Sequence, residues 1–278
     1  MKTLLIPTDF SQHAYSACLY AAGMAAGHGW KIHLLHVYQS YYAVSAYPGV
    51  TGAAWVEIKD ATDKQMAELV EKLKKQFPAI SISGENREGS MADTVADFAS
   101  EKDVNLIAMG TQGATGLKYA VLGSNTFAVI LKSPVPVVAI PARISAFRMD
   151  RVGFAVNYHA AEIAALEDFT TLVDRPTAIT LFHLYEKGKQ EETKKMQKWA
   201  KRFEKISAGS DSELHFKLAI SRNLPISINR MVAREQLDVL VMTPIDKPFF
   251  KRMFSKQLIK AIAHKPSVPV FFMKAAGE

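Results

Sequence analysis

Cysteine is nearly absent from this 278-residue chain; Cys18 is the only one, so no intrachain disulfide can form. That scarcity fits a reducing compartment, and Cys18, in an alanine-rich helical stretch, reads as a small core residue. Long apolar runs are missing too. No window approaches the roughly 18 continuous apolar residues of a membrane-spanning helix. The opening Met1-Lys2-Thr3-Leu4-Leu5-Ile6-Pro7-Thr8-Asp9 begins like a leader, but Pro7 and Asp9 interrupt it early, and a strand suits it better. The expectation is a soluble, cytoplasmic chain with no membrane partner. Metal-ligand spacings are lacking: His33 and His36 have no third ligand at suitable spacing, and read as packed or edge histidines. His13 and His28 read as helix-surface residues. With no zinc spacing, arginine-rich arm or interleaved aromatic platform, nucleic acid is not an expected partner.

What is present is ample core material. Hydrophobic residues make up 49% of the chain, which argues against disorder. The length suggests one large or two ordinary domains of roughly 100–200 residues each. The net charge of +7 is uneven: residues 1–143 hold 12 of the 34 Lys+Arg and 12 of the 27 Asp+Glu, so the whole excess lies in the second half. Such a half attracts nucleic acid, an anionic membrane or an acidic partner, or simply presents a solvated basic surface.

The densest chemical signal runs from Gly110 to Asn125, GTQGATGLKYAVLGSN. An apolar run from Val104 to Met109 enters it and a helical pattern from Thr126 to Lys132 leaves it. A glycine-rich loop between a buried strand and a helix N-terminus suits phosphate, because glycines permit close approach and unpaired N–H groups and the helix dipole favour an anion. It lacks the Gly-Lys-Ser/Thr ending of a P-loop and the G-x-G-x-x-G fingerprint.

The chain also repeats itself. Thr3 to Ser11 reads like Arg151 to His159, and His33-Leu34-Leu35-His36-Val37-Tyr38 like Thr180-Leu181-Phe182-His183-Leu184-Tyr185. Asp103 to Met109 matches Gln236 to Met242 at an offset of 133, which also carries Val135-Pro136-Val137 onto Val268-Pro269-Val270. A period of more than 120 residues is too long for a solenoid unit, so a domain is duplicated. The boundary falls between Pro141 and Asp150, giving domains 1–143 and 148–278. In the first, strands are expected near 2–7, 31–37, 80–84, 104–109 and 135–140. Helices are expected near 12–27, with Ser11 as N-cap, at Val56 to Phe77, from Ser90 with a capping-box-like start, and from Ser124. Residues 39–55 form a loop rich in Tyr, Ala and Gly, a candidate lid. Strands alternating with helices imply an α/β fold with a parallel, doubly wound sheet of five strands in each half.

The pattern G-x2-G-x9-G-S, formed by Gly110, Gly113, Gly123 and Ser124, resembles the ATP-binding loop of the universal stress protein family, and the whole chain resembles a tandem member. The resemblance implies an adenine-nucleotide α-hydrolase-like sheet of order 3-2-1-4-5. A ligand then bridges the ends of strands one and four, where the order switches. There lie Pro7, Thr8 and Asp9 on one side and Met109 and Gly110 on the other. By type, Asp9 accepts from an adenine amino group or a ribose hydroxyl, the Val37 backbone reads a base edge, and Met109 packs on base or sugar. Gly110 and Gly113 admit ribose and phosphates, and Gly123, Ser124 and Asn125 offer N–H groups. Family correspondence covers Asp9, Val37, Gly110, Gly113, Gly123 and Ser124. Asp9 caps the first helix, meets a ligand, or does both; Ser124 is likewise an N-cap candidate, and Lys118 is a solvated lysine or a γ-phosphate contact.

The second half departs from this pattern. Gly110, Gly113, Gly123 and Ser124 become Thr243, Asp246, Lys256 and Gln257, and Asp9 becomes Asn157. Bulky side chains and the Asp246 charge oppose phosphate, so this half is not expected to bind ATP. The leading expectation is a cytoplasmic stress-response protein that binds ATP, with or without Mg²⁺, in its first domain and acts as a nucleotide-dependent switch or sensor. Any hydrolysis is slow, since no general base, arginine finger or P-loop lysine is arranged. The resemblance also implies an intramolecular pseudo-dimer of the two halves, with a homodimer of whole chains and an unidentified protein partner left open. The alternatives are a nucleotide-independent scaffold working through the second half, and an ATP pyrophosphatase-type ligase, which should carry an SGGxDS-like loop where this chain has Pro7-Thr8-Asp9-Phe10-Ser11.

Overall fold

The computed structural model describes residues 1–38, 52–111, 123–173, 177–186, 189–206, 212–244 and 267–274. Among these the chain divides into two compact units, Met1 to Phe147 and Arg148 onward.

Unit 1 runs β1 (Thr3–Pro7), α1 (Gln12–His28), β2 (Lys31–Tyr38), α2 (Gly52–Gln76), β3 (Ile82–Glu88), α3 (Met91–Glu101), β4 (Leu106–Gly110), α4 (Ser124–Lys132) and β5 (Val137–Ile140). The strands form a parallel sheet of order β3-β2-β1-β4-β5. Central β1 is buried throughout, with Leu4 and Leu5 fully enclosed, as expected of a strand covered on both faces. The alternation of β3 assigns the faces. Gly84 lies against Met66 and Val70 of α2, whereas Arg87, three residues on, stacks over Phe98 of α3. Tyr15 of α1 sits under Lys72 of α2, and Lys132 of α4 pairs with Asp93 of α3. Helices α1 and α2 therefore share one face and α3 and α4 the other.

Unit 2 runs β6 (Arg151–Ala155), α5 (Ala160–Leu172), β7 (Ala178–Tyr185), α6 (Lys189–Ile206), β8 (Glu213–Ile220), α7 (Leu224–Arg234), β9 (Val239–Met242) and β10 (Val270–Phe272). Its parallel order, β8-β7-β6-β9-β10, reproduces that of unit 1 strand for strand. Both sheets thus have the 3-2-1-4-5 order.

Several local expectations change. The third strand runs Ile82–Glu88 rather than 80–84; its residues are polar, and pairing with His33 to Tyr38 rather than hydrophobic pattern sets its limits. Helix α2 starts at Gly52, inside the expected 39–55 loop, and the rest of that loop lies outside the described residues. Ser11 caps α1, accepting from the Ala14 N–H at 3.2 Å. Ser90 starts α3 without a side-chain cap bond; its hydroxyl bonds to Asp93 instead. Gly123, not Ser124, is the N-cap of α4. His28 is not a plain surface residue: its Nδ1 donates to the Met24 carbonyl, and its ring meets Trp30 and Phe147.

Candidate functional site

The site is built first by where β1 stops. After Pro7 the chain leaves the sheet, and the Thr8 N–H makes a last ladder bond of 2.9 Å to the Leu35 carbonyl. Phe10 then adopts a left-handed conformation at φ 60°, unusual for an aromatic residue. Three contacts hold that turn. The Phe10 N–H donates to Thr8 Oγ1 at 3.1 Å, the Ser11 N–H donates to Asp9 Oδ1 at 3.0 Å, and the Phe10 ring lies 4.5 Å from that of His36. His36 Nδ1 donates to the Thr8 carbonyl at 2.8 Å, tying the end of β2 to the turn. Pro7 and Thr8 are buried and Asp9 is exposed.

Val37 is half-buried one residue beyond His36. Leu35 aims its carbonyl at the β1 side, so by strand alternation Val37, two residues on, aims its carbonyl the same way, past the point where β1 ends. Sequence reasoning missed the Phe10–His36 clamp and Thr126. A signal was available for the former, since the histidine recurs as His183.

Strand β4 supplies the other side. It pairs with β1 at Leu4↔Leu106 and Leu5↔Ile107, and continuing that register sets Pro7 level with Met109. Met109 is buried and Gly110 half-buried. The N-terminus of α4 is drawn to this point by two bonds: Thr126 Oγ1 donates to the Gly110 carbonyl at 2.8 Å, and the Gly123 N–H donates to the Thr111 carbonyl at 2.9 Å. Gly123 has φ −56° and ψ 144°, values open to any residue. A Cβ there would make ordinary contacts among the described residues, 3.6 Å from the Thr111 carbonyl oxygen. The fold itself therefore does not require glycine at 123. No side chain bonds the cap, and Ser124 and Asn125 stand exposed in the first turn. The result is a helix start whose positive end faces outward beside the switch in strand order. Gly113 and Lys118 lie outside the described residues.

A cleft of about 260 Å³ opens beside the turn, lined by Thr8, Phe10, Ser11, Tyr15, Leu69 and Lys72. Among the described residues no group of three or more His, Cys, Asp or Glu could hold a metal ion. The Cys18 thiol is pushed up to about 12 by burial, then by the Asp9 charge, so it stays protonated and unreactive.

The same strand end in unit 2 keeps the clamp and loses the opening. Tyr158 is left-handed at φ 64°, its ring is 4.5 Å from that of His183, and His183 Nδ1 donates to the Val156 carbonyl at 2.7 Å. Glu162, fully buried, stands where unit 1 has Ala14. Its carboxylate accepts from the Asn157 N–H at 2.8 Å and the His159 N–H at 2.9 Å, completing a capping box. The donors at this helix start are thus consumed from within. Burial pushes the Glu162 carboxyl up to about 8 against these bonds, which favour its charged form. Both amide atoms of Asn157 are buried, in contrast to exposed Asp9, and Thr243, in place of Gly110, is fully buried. Asp246, Lys256 and Gln257 lie outside the described residues.

Two doubly wound α/β units share one strand order, and the first has an exposed helix start beside its switch point. The profile of the Universal stress protein family matches residues 1–141. The chain is 30% identical over 142 residues to universal stress protein MJ0531 of Methanocaldococcus jannaschii, covering 50% of this chain and 81% of that one. It is 28% identical over 145 residues to a universal stress protein of Thermus aquaticus, covering 50% and 98%. The crystal structure of a universal stress protein from Archaeoglobus fulgidus superposes with a TM-score of 0.71 at 17% identity, covering 99% of this chain and 97% of that one. This chain belongs to the universal stress protein family. No helix among the described residues is long and apolar enough to cross a membrane.

Proposed function

We propose that unit 1 binds an adenine nucleotide, ATP in the first instance, across the ends of β1 and β4, and that the bound nucleotide switches the protein's engagement with a partner. The observation that carries this reading is Gly123. The backbone does not need glycine there, yet glycine stands at the N-cap of α4, a helix start that favours an anion. A triphosphate lying against the N–H groups of Ser124 and Asn125 gives that missing side chain a purpose. Asp9, exposed at the end of β1, supplies a carboxylate acceptor for ribose or base, and the Val37 carbonyl offers a base-edge acceptor. Pro7, Thr8 and Met109 shape the floor, Gly110 leaves room for ribose and phosphates, and Gly113 keeps only the role that family correspondence implies. Mg²⁺ would come with the phosphates, with Asp9 the carboxylate at hand. Hydrolysis is slow at most in this reading, because among the described residues no general base or cationic finger is arranged around the site.

Unit 2 contributes no nucleotide site in this reading, because buried Glu162 stands in place of Ala14 at the strand end and Thr243 in place of Gly110. Calorimetric titration of ATP into nucleotide-stripped protein tests the reading. One ATP per chain is expected, with binding lost in Gly123→Val and the fold unchanged in circular dichroism. Two ATP per chain would overturn the assignment of unit 2. No binding by folded wild-type protein would leave the scaffold reading in its place.

A further inference from the structure

We propose that this chain associates with a second copy of itself through two oppositely charged helix faces, α3 of one copy against α7 of the other. The observation is a charge inversion between equivalent helices. On α3, Asp93, Asp97 and Glu101 recur every four residues, all exposed, and so form one stripe. At the offset of 133 these positions become Ile226, Arg230 and Arg234 on α7, also exposed, and exposed Arg222 stands just before the helix. Duplication kept the helix and its spacing and reversed its charge.

The two stripes differ in how far neighbours neutralise them. Asp93 pairs with Lys132, and Glu101 accepts from Arg87 at 2.8 Å, while Asp97 has no ion pair among the described residues. Arg230 on α7 and Arg222 before it have no ion pair among the described residues, and Arg234 reaches only Glu235, at 3.5 Å. Each face therefore keeps charge of one sign at its centre, Asp97 on one and Arg230 on the other.

A second, independent feature selects a protein surface over a small anion. Apart from Met1, the exposed large hydrophobic residues among those described are Leu131, Ile220 and Ile226. Leu131 is next to Lys132, whose ammonium reaches Asp93 beside the acidic stripe. Ile226 lies within the arginine stripe, and Ile220 ends β8 two residues before Arg222. Ile226 is 50% exposed and Ile220 63%. Apolar side chains left in water beside two matched stripes of opposite sign are what two protein faces need in order to bury area in register. Exposed ion pairs are individually weak and screened by salt, so the association is salt-sensitive.

Sedimentation equilibrium on the full chain, over a concentration series at low and at high salt, tests this. Self-association at low salt that weakens at high salt is expected. Arg230→Asp and Asp97→Arg should each lower the association constant by about tenfold or more, since like charges then face each other. The chain carrying both exchanges should recover association, because attraction is restored with the signs reversed. Both positions are exposed, so thermal unfolding of each variant should match wild type. A monomer at every concentration in low salt would overturn the proposal and leave the arginine stripe to a different acidic partner. Association unmoved by either single exchange, or not recovered by the double one, would also overturn it.

Discussion

The ends of β1 and β6 are the most telling pair of regions in this protein, because they share a clamp and differ in what lies beyond it. In each, an aromatic residue in a left-handed turn lies on a histidine that bonds back to the chain. Asp103 and Gln236, before β4 and β9, repeat a second left-handed position at φ 48° and 51°. Such positions cost energy and persist only where surrounding contacts fix them, so they mark the part of the design that duplication preserved. The difference lies in a few side chains. Ala14 leaves the helix start of unit 1 to Ser11 and Asp9, whereas Glu162 reaches into the equivalent turn of unit 2 and fills it. The comparison teaches that scaffold and ligand capacity are carried by separable residues.

The cores show the same separation. Central Leu5 of β1 is replaced by Gly153 of β6, while Leu35 and Val104 become Phe182 and Leu237. A methyl at Gly153 would collide with the Leu237 side chain and come within 3.3 Å of Phe182. The volume lost at one position has been taken up by its two neighbours, as dense interiors require. The largest expected effect follows. Gly153→Leu restores the residue of unit 1 without its surroundings and should destabilise unit 2 by about 3 kcal/mol or more. Adding Leu237→Val and Phe182→Leu should recover much of that loss. Chemical denaturation followed at Trp199, which is buried in unit 2, measures it. Equal instability in the single and triple variants would show that the units do not pack by a common plan.

Glu162 gives the next effect, through pH. Its carboxyl is raised from 4.5 to about 8 in the folded chain, so the fold favours the protonated form. The unfolded chain ionises near the ordinary value. Stability of unit 2 is therefore full at low pH, falls as pH rises from about 4.5 to about 8, and levels off above. The total loss is on the order of a few kcal/mol. Glu162→Gln cannot ionise and should flatten that slope. Hydrogen exchange in α5 from pH 5 to 9, corrected for intrinsic rates, reads unit 2 alone. A slope identical in wild type and variant would place the titrating group elsewhere.

The strand–helix alternation and the duplication were legible because each rests on contiguous apolar runs that recur at a fixed offset. Strand β3 was only half legible: an edge strand with Glu85, Asn86 and Arg87 carries little hydrophobic pattern, and its partner β2 decides its length. Of the site, the strand ends and Gly123 could be read from glycine spacing and order. The cap could not be placed to the residue, since Gly123 and Ser124 are both acceptable and only φ and ψ separate them. The recurrence of His36 as His183 was legible, but the clamp escaped because its ring partner is set by the left-handed turn at Phe10, which no periodicity announces. Glu162 escaped because His159 is an unusual partner for a capping box, which normally opens with Ser or Thr.

The smallest effect separates a cap that serves the helix from a residue that serves a ligand. Ser11 Oγ accepts from the Ala14 N–H at 3.2 Å, and Asp9 Oδ1 accepts from the Ser11 N–H at 3.0 Å. Ser11→Ala removes only the first bond and should cost unit 1 about 1 kcal/mol. The Asp9 bond goes to the backbone of residue 11, so it survives the change. Nucleotide affinity should then be unaltered while the unfolding midpoint drops by a few degrees. In unit 2 the imidazole of His159 accepts only a long 3.3 Å bond from the Ala161 N–H, while Glu162 separately accepts from the His159 N–H, so the equivalent His159→Ala should cost less, with Glu162 still bound to the backbone. A larger loss for His159→Ala than for Ser11→Ala would mean that the imidazole, not the buried carboxyl, closes the second turn.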